Sequence, residues 1–156
     1  MPTHPHAHLQ TYPNGAISSY IGALKEGDPL SVKGPRGQMR YHSDMAAHIG
    51  MIAGGTGLTP CYQVIQQILK DPEDNTKVSF IYANVSPDDI LMKDELDRLS
   101  AENHDQFRIR YFVNEAPEDW KGGKGFITKE AIDEFLPHVD EQSKILMCGE
   151  YFGMQT

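Results

Sequence analysis

Residues 48–60 read His-Ile-Gly-Met-Ile-Ala-Gly-Gly-Thr-Gly-Leu-Thr-Pro, and this stretch decides the fold. A short apolar run ends in a glycine-rich turn, and a helical pattern follows it. The order is strand, phosphate loop, helix N-terminus. Glycines let a backbone approach a phosphate closely, and the free N–H groups of a first helical turn bind it. Gly55-Thr56-Gly57-Leu58-Thr59-Pro60 is a G-x-G-x-x-P pattern. It departs from the usual dinucleotide fingerprint, which ends in glycine or alanine. Asn84 also stands where an acidic residue commonly closes the second strand. Tight turns alone account for many glycine pairs. Here the preceding strand, the Gly54-Gly55 pair and Pro60 at a helix start all agree on nucleotide binding. Proline suits a first helical turn because its missing N–H costs nothing there.

Outward from this motif, strands and helices alternate. Apolar runs at 48–53, 77–83, 107–113 and 143–148 read as strands. Between them, residues 60–70 place Val64, Ile65, Ile68 and Leu69 on one face of a helix. Residues 90–103 do the same with Leu91, Leu96 and Leu99. Residues 128–136 carry Ile132, Phe135 and Leu136, with Thr128 at a helix start. The β-α-β-α-β-α-β order predicts an α/β fold with a parallel sheet and right-handed crossovers. Before residue 48 the pattern is different. Residues 1–14 lack a regular pattern, 18–24 suit a short helix, 29–33 a short strand, and 38–47 a linker.

Composition narrows the classes. The 156 residues suffice for one domain, or one plus a fragment, and 39% hydrophobic content supports a core. No apolar run reaches the roughly 18 residues of a transmembrane segment. The first residues lack the pattern of a signal peptide, which makes an intracellular, cytoplasmic setting the expectation. The formal charge of −8, with both signs interspersed, argues against nucleic acid as a partner. Cys61 and Cys148 make neither a metal spacing nor a disulfide framework, and two cysteines suit a reducing compartment. His4, His6 and His8 would share one side of an extended segment, although a flexible terminus is the simpler reading, so no metal is assigned.

Four segments together resemble the NADH–cytochrome b5 reductase family, a module also found in the flavin part of eukaryotic nitrate reductases. They are Gly-Asp-Pro-Leu-Ser-Val-Lys-Gly-Pro-Arg-Gly at 27–37, Gly-Met-Ile-Ala-Gly-Gly-Thr-Gly-Leu-Thr-Pro at 50–60, Tyr-Ala-Asn-Val-Ser-Pro-Asp-Asp-Ile-Leu at 82–91, and Cys-Gly at 148–149. The resemblance implies a ferredoxin reductase-type NAD-binding domain over residues 46–156. A remnant of an antiparallel FAD-binding β-barrel would precede it over residues 1–45. It also implies hydride transfer from NADH to FAD, and then single electrons to a haem protein.

By the same resemblance, Gly15 and Ser18 match the segment that touches the FAD pyrophosphate, with Ala16 replacing the family's lysine. Ser18 otherwise reads as a helix cap. Gly54, Gly55, Thr56, Gly57 and Pro60 match the NADH loop. Thr59 falls near the flavin, and Cys148-Gly149 near the nicotinamide, so Thr59 and Cys148 are the catalytic candidates. Cys148 also reads as a small residue at a strand end. Asp89 falls near the adenosine ribose, where a carboxylate accepts from a 2′-hydroxyl and repels a 2′-phosphate. It equally suits a helix N-terminus.

The sequence also departs from the family. Cys148-Gly149 continues as Glu150-Tyr151-Phe152-Gly153-Met154 rather than with two prolines. The barrel strands expected before residue 12, with their R-x-Y-[ST] segment, and a final helix are absent. These features carry a second expectation. The chain is then a fragment, or a reduced relative that has lost flavin chemistry and serves as a binding or assembly module or as a non-redox enzyme. A homodimer, or a partner supplying the barrel, is compatible with unpaired barrel edges.

Overall fold

The computed structural model describes residues 11–34, 37, 39–138 and 140–149. The chain divides into two compact units, Met1–Gln38 and Met39–Thr156.

In the second unit, β1 (His48–Gly54), β2 (Lys77–Asn84), β3 (Phe107–Val113), the two-residue β4 (Gly123–Lys124) and β5 (Ser143–Gly149) form one sheet. Its order is β4-β3-β2-β1-β5, and every pairing is parallel. Helices cover both faces, so β1 and β2 are apolar almost throughout instead of alternating. Ile49, Met51 and Ala53 join Val78, Phe80 and Tyr82 on one face. There they meet α2 (Leu58–Lys70) and α3 (Lys93–Glu102). Ile52, Ile81, Ala83 and Phe112 lie on the other face, against α4 (Lys129–Phe135).

This segregation follows from connectivity. The chain steps from β1 to β2 to β3 in one direction across the sheet, and then returns past β1 to β5. Crossovers of one hand travelling in opposite directions place their helices on opposite faces.

Side-chain spacing makes each helix. In α2, Leu58, Cys61, Val64, Ile65 and Ile68 are buried, a stripe of three- and four-residue steps. Helix α3 buries Leu96 and Leu99. Its exposed side carries Arg98, paired with Glu95 and Glu102. Thr128 caps α4, accepting from the Ala131 N–H at 3.3 Å. The four expected strands and three expected helices of this unit are all present, within a few residues of their expected limits. Strand β4 was not anticipated, because Gly123-Lys124 carries no apolar pattern.

Residues 39–47 are tied to the sheet domain rather than forming a free linker. The Tyr41 hydroxyl donates to the Asp74 carboxylate and lies 3.0 Å from Thr76 Oγ1. Ala46 is buried. Burial and the Asp74 carboxylate push the Tyr41 phenol up to about 12.

In the first unit, α1 spans Ala16–Gly22, two residues earlier than the pattern suggested, because extended Gly15 starts it and Ala23 closes it. The expected strand at 29–33 is not formed. Pro29 lacks an N–H, and no neighbouring strand pairs with the segment. Residues 4, 6 and 8 lie outside the described residues. Among the described residues no helix is long and apolar enough to cross a membrane.

Candidate nucleotide-binding site

The strand order creates one topological switch point. The chain leaves β1 toward β2 on one side, and β5 later closes the other side. In open parallel sheets, ligands bind beyond the carboxyl ends of the strands at such a point. Here that place is the gap above Gly54 of β1 and Gly149 of β5, which are paired in register.

Backbone packs directly on backbone here, and side chains do not fit between. A Cβ on Gly57 would stand 2.1 Å from the carbonyl oxygen of Cys148, and one on Gly149 would stand 2.6 Å from the Gly54 backbone. Gly55 is glycine for a different reason. Its φ of +51° lies in the left-handed region, and the space beside it is open. A short 3₁₀ turn, Gly55–Gly57, leads directly into α2. Neither the turn nor the helix has a side-chain cap. The Leu58 N–H already donates to the Gly55 and Thr56 carbonyls, so the N–H groups of the turn itself, Gly55–Gly57, are the ones that can meet a ligand. Thr56, Thr59 and Pro60 are exposed at this helix start, and the Thr59 hydroxyl donates to the Thr56 carbonyl at 3.2 Å.

Tyr82 holds the turn from below. Its ring is fully buried and stacks on Phe80 with centroids 5.5 Å apart, while its hydroxyl donates to the Gly55 carbonyl at 2.8 Å. Burial pushes this phenol up to about 12, which keeps it a donor. Sequence reasoning missed Tyr82. The available signal was a single phenol near the end of an otherwise buried strand.

Asp89 ends the 3₁₀ turn Pro87–Asp89 beyond β2. Its Oδ2 accepts from the Ser86 N–H at 3.0 Å and from the Ser86 hydroxyl at 2.6 Å, closing a capping box. The helix-start reading is therefore met. The residue is exposed, and Oδ1 takes no part in these bonds. Between Asp89 and the glycine turn, at the end of β2, Asn84 is buried and its Nδ2 has no hydrogen-bond partner. A buried donor left open at a strand terminus suits a polar ligand group.

Cys148 is exposed at the end of β5, so it is not a buried packing residue. Cys61 is buried beneath it in α2. Burial, and then the neighbouring Cys148, push the Cys61 thiol up to about 12. The structure thus gathers Gly54, Gly55, Thr56, Gly57, Thr59, Pro60, Cys148 and Gly149 around one crevice. Asp89 stands at the adjacent strand end.

Gly15 and Ser18 belong to the first unit. The cap position of α1 is Gly15, not Ser18. The Ser18 hydroxyl accepts from the Tyr12 N–H at 3.2 Å and donates to the Gly15 carbonyl at 3.4 Å. Both of these bonds run within its own segment.

A separate cleft of about 560 Å³ opens at the opposite, amino-terminal end of the strands, lined among others by His48, Lys77, Ser79, Arg108 and His138. None of the crevice residues lines it. No cluster of three or more metal-ligating side chains occurs among the described residues.

The crevice fits a dinucleotide. Gly57 and Gly149 admit no Cβ, the glycine turn offers N–H groups to a pyrophosphate, and Asn84 and Asp89 offer a donor and an acceptor at the next strand end.

Comparison with known proteins agrees with this geometry. The family model for the oxidoreductase NAD-binding domain matches residues 51–156, and that for the oxidoreductase FAD-binding domain matches residues 5–41. NADH-cytochrome b5 reductase 1 of Mycosarcoma maydis is 60% identical over 141 residues, covering 90% of this chain and 44% of that protein. The protein of the same name in Scheffersomyces stipitis is 48% identical over 141 residues, covering 90% and 50%. The chain thus spans about half the length of the curated relatives it matches. Among solved structures, the cytochrome b5 reductase domain of Ulva prolifera nitrate reductase superposes with a TM-score of 0.82 at 34% identity, covering 92% of this chain and 60% of that one. The CS-b5R domains of human Ncb5or, in an NAD+ form, give 0.73 at 25% identity, covering 96% and 43%. With one family model spanning well over half of its residues, the chain belongs to the oxidoreductase NAD-binding domain family, in its NADH–cytochrome b5 reductase branch.

Proposed function

We propose that this chain is the NADH-binding part of a flavin oxidoreductase of the cytochrome b5 reductase type. It takes a hydride from NADH to FAD and passes single electrons to a haem protein. The observation that carries the reading is the close backbone packing of Gly57 on Cys148 and of Gly149 on Gly54, which sets the glycine turn at the switch point between β1 and β5. The names of the similar proteins supply the chemistry. In this reading the pyrophosphate lies on the N–H groups of residues 55–57, and the adenosine ribose lies by Asp89. The nicotinamide lies by Cys148, with Thr59 on the flavin side. Bound flavin supplies the change from two-electron to one-electron transfer. The protein supplies position and electrostatics.

Asp89 favours NADH over NADPH, because a carboxylate beside the ribose repels a 2′-phosphate. Replacing it by serine is expected to narrow the ratio of NADH to NADPH affinities, measured by fluorescence titration. An unchanged ratio removes Asp89 from the ribose site.

One observation favours a second reading, in which the chain binds the nucleotide without holding flavin itself. Residues 11–34 form one short helix and no strand, and Ser18 is engaged within its own segment. A single experiment separates the two readings. The purified chain is mixed with FAD, freed of excess, and given NADH anaerobically, while NADH binding is titrated in parallel. Retained flavin that bleaches supports the reductase. NADH binding without retained flavin supports the second reading, and no NADH binding overturns both.

A further inference from the structure

We propose that Cys61 and Cys148 are a dithiol that closes to a disulfide when the protein meets a hydroperoxide, pinning the start of α2 to the end of β5. Both cysteines are free. Gly57, the residue just before α2, touches Cys148 so closely that its Cβ would stand 2.1 Å from the Cys148 carbonyl oxygen. Cys61 lies four residues further, one turn along the same face of that helix. Cys148 is opposite Ala53 in register, two residues beyond Leu146 and therefore on the same sheet face. Ala53, Cys61 and Leu146 all belong to the apolar cluster under α2. The two thiols thus face one helix–strand gap, and Cys148 is close enough to help raise the Cys61 thiol. A disulfide between them needs their Cα atoms to come within about 7 Å.

Their exposures differ in a useful way. Cys148 is open to solvent and Cys61 is not. The oxidant therefore meets Cys148 first. Its sulfur attacks the peroxide, the O–O bond breaks, and Cys148 becomes a sulfenic acid while alcohol or water leaves. Cys61 sulfur then attacks that sulfenic sulfur. The S–S bond forms, and hydroxide leaves as water with the Cys61 proton. Two thiols are oxidised by two electrons, and one peroxide is reduced. Burial pushes the Cys61 thiol up to about 12, so it keeps its proton until it attacks.

The disulfide itself does not depend on the nucleotide reading. Its consequence, a crevice wall locked against NADH, does rest on it.

The test uses the whole chain, treated with an equivalent of hydrogen peroxide and then alkylated after denaturation. The expected result is loss of two hydrogens in intact mass, a Cys61–Cys148 linked peptide, no alkylation, and full reversal by dithiothreitol. In the C61S variant, Cys148 should instead be trapped by dimedone as a sulfenic acid. If wild type gives a dimedone adduct or sulfinic acid at Cys148 while Cys61 alkylates fully, the proposal is overturned. A link between the Cys148 residues of two chains overturns it equally. The wild-type peptide map decides the matter even if C61S fails to fold. NADH titration of reduced and oxidised protein then reads the consequence separately.

Discussion

Gly55 and Gly57 occupy neighbouring positions for unlike physical reasons, and alanine distinguishes them. At Gly57 the new methyl meets backbone of β5, which no rotamer change relieves. Gly57→Ala is expected to cost about 3 kcal/mol, the upper end of overpacking. At Gly55 nothing crowds the methyl, and only the left-handed backbone resists it. Gly55→Ala should cost about 1 kcal/mol. Urea unfolding of both variants checks the order, and equal costs would contradict the close approach. Tyr82→Phe removes the donor that holds the Gly55 carbonyl. A loss of about 1 kcal/mol is expected, with weaker NADH binding, because the turn is no longer fixed from beneath. Glycines announce themselves in a sequence, and so the crevice walls were legible there. Tyr82 and Ser86 were not, because a tyrosine in an apolar run and a serine before a proline are ordinary residues until the chain folds back on them.

At the scale of elements, what could be read depended on periodicity and on partners. The stripes of α2 and α3 and the capping threonine of α4 are local signals, and they hold in the structure. Thr128→Ala removes the hydroxyl that accepts from Ala131, and should lower stability by about 1 kcal/mol. Circular dichroism during thermal unfolding would register it as a lower midpoint. An unchanged midpoint would mean that α4 is held by Phe135 and its neighbours alone. A strand is different, because it exists only through its neighbours. Residues 29–33 have strand-like composition but no partner strand among the described residues, and form no strand. Gly123-Lys124 has no such composition, yet it pairs with Phe112 and Val113 at the sheet edge. Tyr41 shows the same limit for loops. The hydrogen bonds that draw residues 39–47 onto the sheet domain run to Asp74 and Thr76, more than thirty positions away.

For the whole molecule, buried phenols set a limit on the alkaline side. Tyr41 and Tyr82 are each pushed up to about 12, and Tyr111 is raised as well by burial and by its bond to Asp97. An unfolded tyrosine releases its proton near about 10. Between these values the unfolded chain binds fewer protons than the folded one, so stability falls as pH rises. The contribution is fully present below about 10 and is lost on passing through about 12. Phenolate absorbance should therefore show these three rising later in the folded protein than in the unfolded chain. Tyr82, the fully buried one, should ionise only together with loss of far-ultraviolet circular dichroism. Early, fully reversible titration of every tyrosine in the folded protein would contradict the hydrogen-bonded burial described for them.

The return of the chain to the far side of β1 has a consequence in time. Strands β1, β2 and β3 pair in the order in which they are synthesised, each with the strand made just before it. Strand β5 must instead find β1, whose pairing register joins His48 to Ser143. That contact closes a long loop and is among the slowest to form. A ribosome-bound chain can therefore lay down most of the sheet while lacking one wall of the crevice. The capacity to hold a nucleotide arrives only when the last strand docks, and a protease that trims β5 would take binding away while leaving much of the sheet behind.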